Sequence, residues 1–191
     1  MTQDKCRIIM RSIFLGLQHI QLQMDLVHRD LKPSNIVIQN LKDLQTVKIV
    51  DFGLAVSIKA RGELMSTCGT LIYQAPEQIF TNARQSKSID MFSCGFILYE
   101  MLTKGKHPIL KKGEDKQTYK QKIKEFKGLK IDDSVDIPPL AKNLIEQLCN
   151  LKPANRYKVE QALQHPWITG NSEDEIPLTD VHKFQQASVN F

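Results

Sequence analysis

Residues 28–35 read HRDLKPSN, and sixteen positions after Asn35 comes DFG, residues 51–53. Asp30, Lys32 and Asn35 thus share one short stretch, and a further acidic residue, Asp51, follows two β-branched runs, IVIQ (36–39) and TVKIV (46–50). Pro33 disfavours helical backbone at Lys32, so the stretch interrupts any helix before it. The two runs, with NLKDLQ between them, predict a small β-hairpin flanking a functional loop. Taken singly each element says little. An Asp or Asn in a loop ordinarily caps backbone groups, and Asp-Phe-Gly is a favourable turn.

Outward from that loop the pattern is helical. Cys6, Ile9, Ile13, Leu17 and Ile20 step by three or four, predicting an amphipathic helix before HRDLKPSN. SIDMFSCGFILYEMLT (88–103) is apolar on nearly every side, the mark of a helix in the middle of a core. PPLAKNLIEQLCN (138–150) carries the stripes Leu140/Leu144/Leu148 and Ala141/Ile145/Cys149, and KVEQALQHPWI predicts a short helix ended by Pro166. From Gly53 to Pro76 no period is sustained, which predicts a long surface segment of the kind that carries function. The expected fold is mainly α with a small β-hairpin.

Composition narrows the class. The chain has 191 residues, 41% hydrophobic and 25% charged, an ordinary globular balance for one domain, or one large lobe with a tail. No apolar run approaches the length that crosses a bilayer, and the first twenty residues lack a signal-peptide layout. A cytoplasmic location is expected, with the nucleus also open to the chain, and no membrane partner. Cys6, Cys68, Cys94 and Cys149 form no C-x-x-C pair and read as free thiols. The five histidines lack metal-ligand spacing. The net charge of +5 is concentrated between Lys104 and Lys130. Without interleaved aromatics or a binding motif, those lysines read as a solvated helical face rather than a nucleic-acid surface.

In combination the motifs are specific. HRDLKPSN (28–35), DFG (51–53), GTLIYQAPE (69–77), DMFSCG (90–95) and Arg156 follow one another in the order and spacing of a eukaryotic protein kinase. The chain resembles the C-terminal lobe of a Ser/Thr protein kinase over residues 1–168. The resemblance implies ATP as cosubstrate and Mg2+ as cofactor, with protein substrates. It makes Asp30 the catalytic base, Lys32 the charge that steadies the transferring phosphate, and Thr70 the brace of the base. Asn35 and Asp51 would ligate magnesium, whose preference is for hard oxygen donors. Val37, with Ile97 and Met101, would form the apolar column beneath the adenine. Structural roles are implied for His28 and Phe52, stacked in the internal spine, for Asp90, bonded to the catalytic-loop backbone, and for Glu77 and Arg156, a buried ion pair. Arg29 before the base implies switching by an upstream kinase, with Ser66 and Thr67 as candidate phosphosites.

Departures from the family pattern are equally informative. A complete kinase has a glycine-rich loop, a strand lysine and a helix glutamate ahead of the catalytic loop, yet no G-x-G occurs here. The N-terminal lobe is expected to be missing, and these residues alone to transfer phosphate very poorly. Ser34 stands where many basophilic kinases have a glutamate, although Glu100 is retained. Residues 169–191 are similar to the junction after the domain of calcium/calmodulin-dependent and calcium-dependent kinases. Val181, Phe184 and Gln185 could there begin an autoinhibitory segment. A calcium sensor as partner is open, but no calcium-binding loop is encoded. The competing reading is a non-catalytic, kinase-derived binding or decoy module.

Overall fold

The computed structural model describes residues 1–59, 68–80 and 86–170. Ser66, Thr67 and the tail from 171 onward, with Val181, Phe184 and Gln185, lie outside them.

Helix α1 (Gln3–Gln18) starts at Thr2, whose hydroxyl accepts from the Lys5 amide, and buries Cys6, Ile9, Met10, Ile13, Phe14 and Leu17. The apolar period continues to Ile20, but the backbone does not stay α. Residues His19–Gln23 form a π turn, closed by the Met24 amide donating to the His19 carbonyl. Such wide turns are often found at functional sites, and this one carries a buried polar side chain, Gln21.

After β1 (Leu26–Val27), the expected hairpin forms from β2 (Ile36–Asn40) and β3 (Asp43–Ile49). It is longer than its β-branched runs suggest, because Thr46 and Asn40 bond across the turn and extend the pairing. Its antiparallel register pairs Ile36 with Ile49 and Val37 with Lys48. The segment after Gly53 is not wholly irregular: β4 (Val56–Ser57) pairs antiparallel with β1, and Leu71–Tyr73 make a 3-10 turn. Two-residue strands leave no periodic trace in a sequence.

The short helix α2 (Pro76–Phe80) leads towards α3 (Ser88–Leu102), whose residues from Ile89 to Leu98 are all buried. Its close neighbour is α5 (Pro139–Leu148), and the contact is made at Gly95. A Cβ there would stand 2.4 Å from the Cys149 sulfur and 3.1 Å from the Leu148 Cβ. Helix α4 (Lys116–Lys124), capped by Asp115, buries Tyr119 and Ile123 and leaves Lys116, Lys120 and Lys124 exposed, the solvated face expected of the lysine run. Pro166 ends α6 (Val159–Gln164) and also opens α7 (Pro166–Thr169), where its missing N–H costs nothing. Helix α1 packs on β3, α3, α6 and α7, so the core is one continuous body beneath the hairpin. Among the described residues no helix is long and apolar enough to cross a membrane.

His165 caps α7 by accepting from the Trp167 amide at 3.2 Å through Nδ1, which leaves Nε2 to bond the Asn143 side chain at 3.1 Å. Burial pushes its pKa down from the usual 6.5 to about 4. The unfolded chain therefore takes up this proton first, and stability falls as pH drops from 6.5 towards 4. Up to about 3 kcal/mol is at stake for a shift of this size. Urea-unfolding midpoints should fall over that window, and His165→Asn, which keeps an acceptor at the cap, should flatten the fall.

Candidate active site

The loop between β1 and β2 is held from below by one carboxylate. Asp90, in the first turn of α3, accepts from the backbone amides of His28 and Arg29, both at 2.9 Å, and from the Gln21 amide at 3.3 Å. Burial pushes its carboxyl up, and the donated N–H bonds work against that rise. The anchor lets Arg29 hold a left-handed backbone, φ 73°, uncommon for a residue with a side chain. His28 stands beneath the next element. Its Nε2 bonds the Val50 carbonyl at 3.1 Å, and its ring meets Phe52 edge-on at 5.1 Å.

Asp30 is buried and surrounded by donors. Its Oδ1 accepts from the Thr70 amide at 2.6 Å, and its Oδ2 from the Lys32 ammonium at 2.7 Å and the Asn35 amide at 3.3 Å. Lys32 also donates to the Thr70 hydroxyl at 2.9 Å. Burial acts to raise the Asp30 pKa, but Lys32 and the two Thr70 groups outweigh it and hold the carboxyl below its usual range. It is an ionised acceptor at neutral pH. Gly69 makes this approach possible. It adopts φ +93°, and a Cβ there would lie 2.4 Å from the Arg29 carbonyl and 3.3 Å from Asp30 Oδ1.

Asn35 uses only its amide nitrogen on Asp30, bonding the backbone carbonyl at 2.9 Å as well as Oδ2. Its side-chain oxygen keeps no hydrogen bond among the described residues. Its own carbonyl accepts from Val50, so Asp51 follows directly at the open end of the hairpin. Asp51 has φ 65°, is exposed, and among the described residues accepts only a long 3.4 Å bond from the Gly53 amide. An amide oxygen and a carboxylate, both with spare lone pairs at one hairpin end, fit the donor chemistry of magnesium. Val37 on β2 and Phe52 are both over two-fifths exposed, whereas Ile97 is buried and Met101 partly so.

A second anchor ties down the segment after Thr70. Arg156 donates to Glu77 through both terminal nitrogens, at 2.6 and 3.1 Å, and further to the carbonyls of Ser88 and Asn150. Its guanidinium lies 5.0 Å from the Phe92 ring centre. The expected ion pair is therefore present and bidentate, with Arg156 buried and Glu77 partly exposed.

Asp30, Lys32, Asn35 and Thr70 come together as the motifs imply. Arg29 does not point at open loop: its guanidinium donates to the Cys68 sulfur, beside the undescribed stretch that holds Ser66 and Thr67. Glu100 is engaged by the Tyr73 hydroxyl at 3.0 and 3.2 Å. Gln21 carries no signal in the sequence, because it follows the apolar stripe of the first helix and looks like an interruption of it. Gly69 had a visible signal, its place ahead of Thr70 in GTLIYQAPE.

Comparison with known proteins shows the family. The protein kinase domain family matches residues 1–168, and the chain belongs to that family. It is 35% identical over 191 residues to serine/threonine-protein kinase 33 of Bos taurus, covering 94% of this chain and 38% of that protein. It is 37% identical over 182 residues to serine/threonine-protein kinase 17A of Oryctolagus cuniculus, covering 95% of this chain and 45% of that protein. A probable serine/threonine-protein kinase of Dictyostelium discoideum, fhkB, is 33% identical over 87% of this chain and 14% of its own length. The chain thus spans less than half of each of these relatives.

Two substitutions test the anchors. Glu77→Ala should destabilise the fold by about 3–5 kcal/mol, since Arg156 would stay buried and uncompensated; denaturant unfolding measures it. Gly69→Ala should lower stability by about 1–3 kcal/mol and speed hydrogen exchange at the Thr70 amide, which its Cβ would push off Asp30.

Proposed function

We propose that this chain carries the catalytic loop, metal ligands and activation-segment anchor of a protein serine/threonine kinase, transferring the ATP γ-phosphoryl group to protein hydroxyls. The observation that carries the reading is the Asp30 carboxylate, ionised, buried, and held on one oxygen by Thr70 and on the other by Lys32. A substrate hydroxyl beside Asp30 would donate its hydrogen bond to this carboxylate, which orients the oxygen for in-line attack. As the new P–O bond forms and the bond to the β-phosphate oxygen breaks, the hydroxyl proton passes to Asp30. A carboxyl held at low pKa accepts that proton late, so orientation contributes more than basicity. Lys32, within reach of both Asp30 and Thr70, supplies positive charge to the moving phosphoryl oxygens.

Asn35 and Asp51 would hold magnesium, which supplies charge neutralisation across the phosphates. Val37 and Phe52 would border the nucleotide. Both face solvent over two-fifths of their surface in these 191 residues, so ATP would be gripped from one side, and low transfer by this chain alone is expected. Arg29, beside Cys68, supports control by phosphorylation of Ser66 or Thr67 by an upstream kinase, through a charge-assisted contact to the guanidinium. The tail from 169 supports placement among calcium/calmodulin-dependent and calcium-dependent kinases through its sequence alone. A cytoplasmic setting with protein substrates accords with this activity.

The test uses labelled ATP, magnesium and a Ser/Thr peptide library, with the natural full-length polypeptide and with residues 1–191. Asp30→Asn should reduce transfer by the full-length protein about 10²–10⁴-fold with nucleotide binding retained. Equal transfer by wild type and Asp30→Asn would sink the catalytic reading and leave the non-catalytic module.

A further inference from the structure

The segment Thr70–Gln74 begins at the Asp30 brace, and its backbone is held from behind by three side chains on three different elements. The Ile72 carbonyl bonds His107 Nε2 at 2.8 Å, the Tyr73 carbonyl accepts from Ser93 of α3 at 2.8 Å, and the Gln74 carbonyl accepts from Tyr119 of α4 at 3.2 Å. Within the segment the Tyr73 amide donates to the Thr70 carbonyl and the Gln74 amide to the Leu71 carbonyl. Thr70 and these three carbonyls therefore move as one piece.

His107 differs from the other two clamps. Its Nδ1 accepts from two backbone amides, Ile109 at 3.1 Å and Leu110 at 3.0 Å. Two donors aimed at one nitrogen require it to be unprotonated, so the ring proton sits on Nε2 and is donated to Ile72. The ring is packed edge-on among Phe96, Tyr119 and Tyr73, with centres at 5.2, 5.7 and 6.0 Å. That cage fixes its plane, and burial pushes its pKa below the usual histidine value, against the pull of the Ile72 carbonyl. A hydrogen-bonded, ring-caged imidazole outside the catalytic loop thus reaches Asp30 in two steps, through Ile72 and then Thr70.

We propose that His107 is a positioning residue for phosphoryl transfer: in its Nε2–H tautomer it fixes the Thr70–Gln74 backbone and, through Thr70, the orientation of the Asp30 carboxylate. The transfer role of Asp30 rests on the function proposed above; the clamp itself does not.

Two variants divide the imidazole's tasks. His107→Asn keeps an acceptor for the Ile109 and Leu110 amides but cannot reach Ile72. His107→Gln places an N–H donor near the Nε2 position and gives up the acceptor. In residues 1–191, His107→Asn should accelerate exchange of the Thr70 and Gln74 amides about tenfold, the equivalent of one lost hydrogen bond, and His107→Gln should restore most of the protection. In the full-length protein His107→Asn should lower kcat by about the same factor with KM for ATP unchanged, with rescue by His107→Gln. Imidazole ¹⁵N shifts of the wild type should report the Nε2–H tautomer at neutral pH. Wild-type exchange and kcat in His107→Asn, or an Nδ1–H or doubly protonated ring, would overturn the proposal. If His107→Asn does not fold, the tautomer and the exchange pattern of His107→Gln decide it. If the wild type transfers no phosphate, the exchange and tautomer arms still stand or fall alone, and it is the proposed function that fails.

Discussion

A single buried carboxylate, Asp90, holds the loop between β1 and β2 in its shape. Its two oxygens receive consecutive backbone amides, His28 and Arg29, from a chain that must turn through a left-handed residue before it reaches Asp30. A neutral acceptor would satisfy these donors less well, because charge-assisted bonds are roughly twice as strong as neutral ones. The three N–H groups around it offset only part of the cost of keeping the carboxylate away from water, so burial still pushes its carboxyl up. Because Asp90 stands in the first turn of the most buried helix, the loop's position is referred directly to the core. The π turn after α1 belongs to the same device, since it delivers Gln21 as the third donor.

From there the site is assembled in tiers. His28 is fixed by Asp90 and in turn supports Val50, so Asp51 is located relative to the loop through one imidazole. Thr70 reaches Asp30 from the other side, and its segment is secured both by the His107, Ser93 and Tyr119 bonds and, further along, by Arg156 and Glu77. The Arg156 end of the ion pair is buried, and its guanidinium is satisfied by both Glu77 oxygens and by the Ser88 and Asn150 carbonyls. Burial of that kind is tolerated only where geometry and added hydrogen bonds repay desolvation. The low pKa of Asp30 is a product of this arrangement, since Lys32 and Thr70 overcome the effect of burial.

Much of this was legible in the sequence, and the limits have physical causes. The motif order gave the family, and the all-round apolarity of 88–103 placed α3 in the core. The pairing of Glu77 with Arg156, 79 positions apart, could be read only through resemblance, because local periodicity carries no information about distant contacts. The β1–β4 pair is too short to have a period. His107 sits in a lysine-rich run without a hydrophobic stripe, so its caged environment arises from Phe96, Tyr119 and Tyr73, none of them its sequence neighbours. Val37 and Phe52 followed from resemblance as parts of apolar columns, yet both retain substantial solvent contact here. Alternation on a strand and a turn can indicate a side chain's direction, but not what lies opposite it.

The hairpin separates what must stay constant from what can vary. Asn35 and Asp51 adjoin its open end, where register is pinned by the Ile36–Ile49 pair and the Asn35 carbonyl bond to Val50. Leu41 and Lys42 turn the chain at the far end, in full solvent. Since strand side chains alternate faces, adding one residue between Ile36 and Ile49 within the paired rows would invert a whole side of the ribbon. The same residue added at the tip would merely lengthen a loop. Related chains can therefore differ in length at residues 41–42 while keeping Asn35 and Asp51 in place, and a tag or reporter inserted there would sit as far along the ribbon from those two side chains as this hairpin permits.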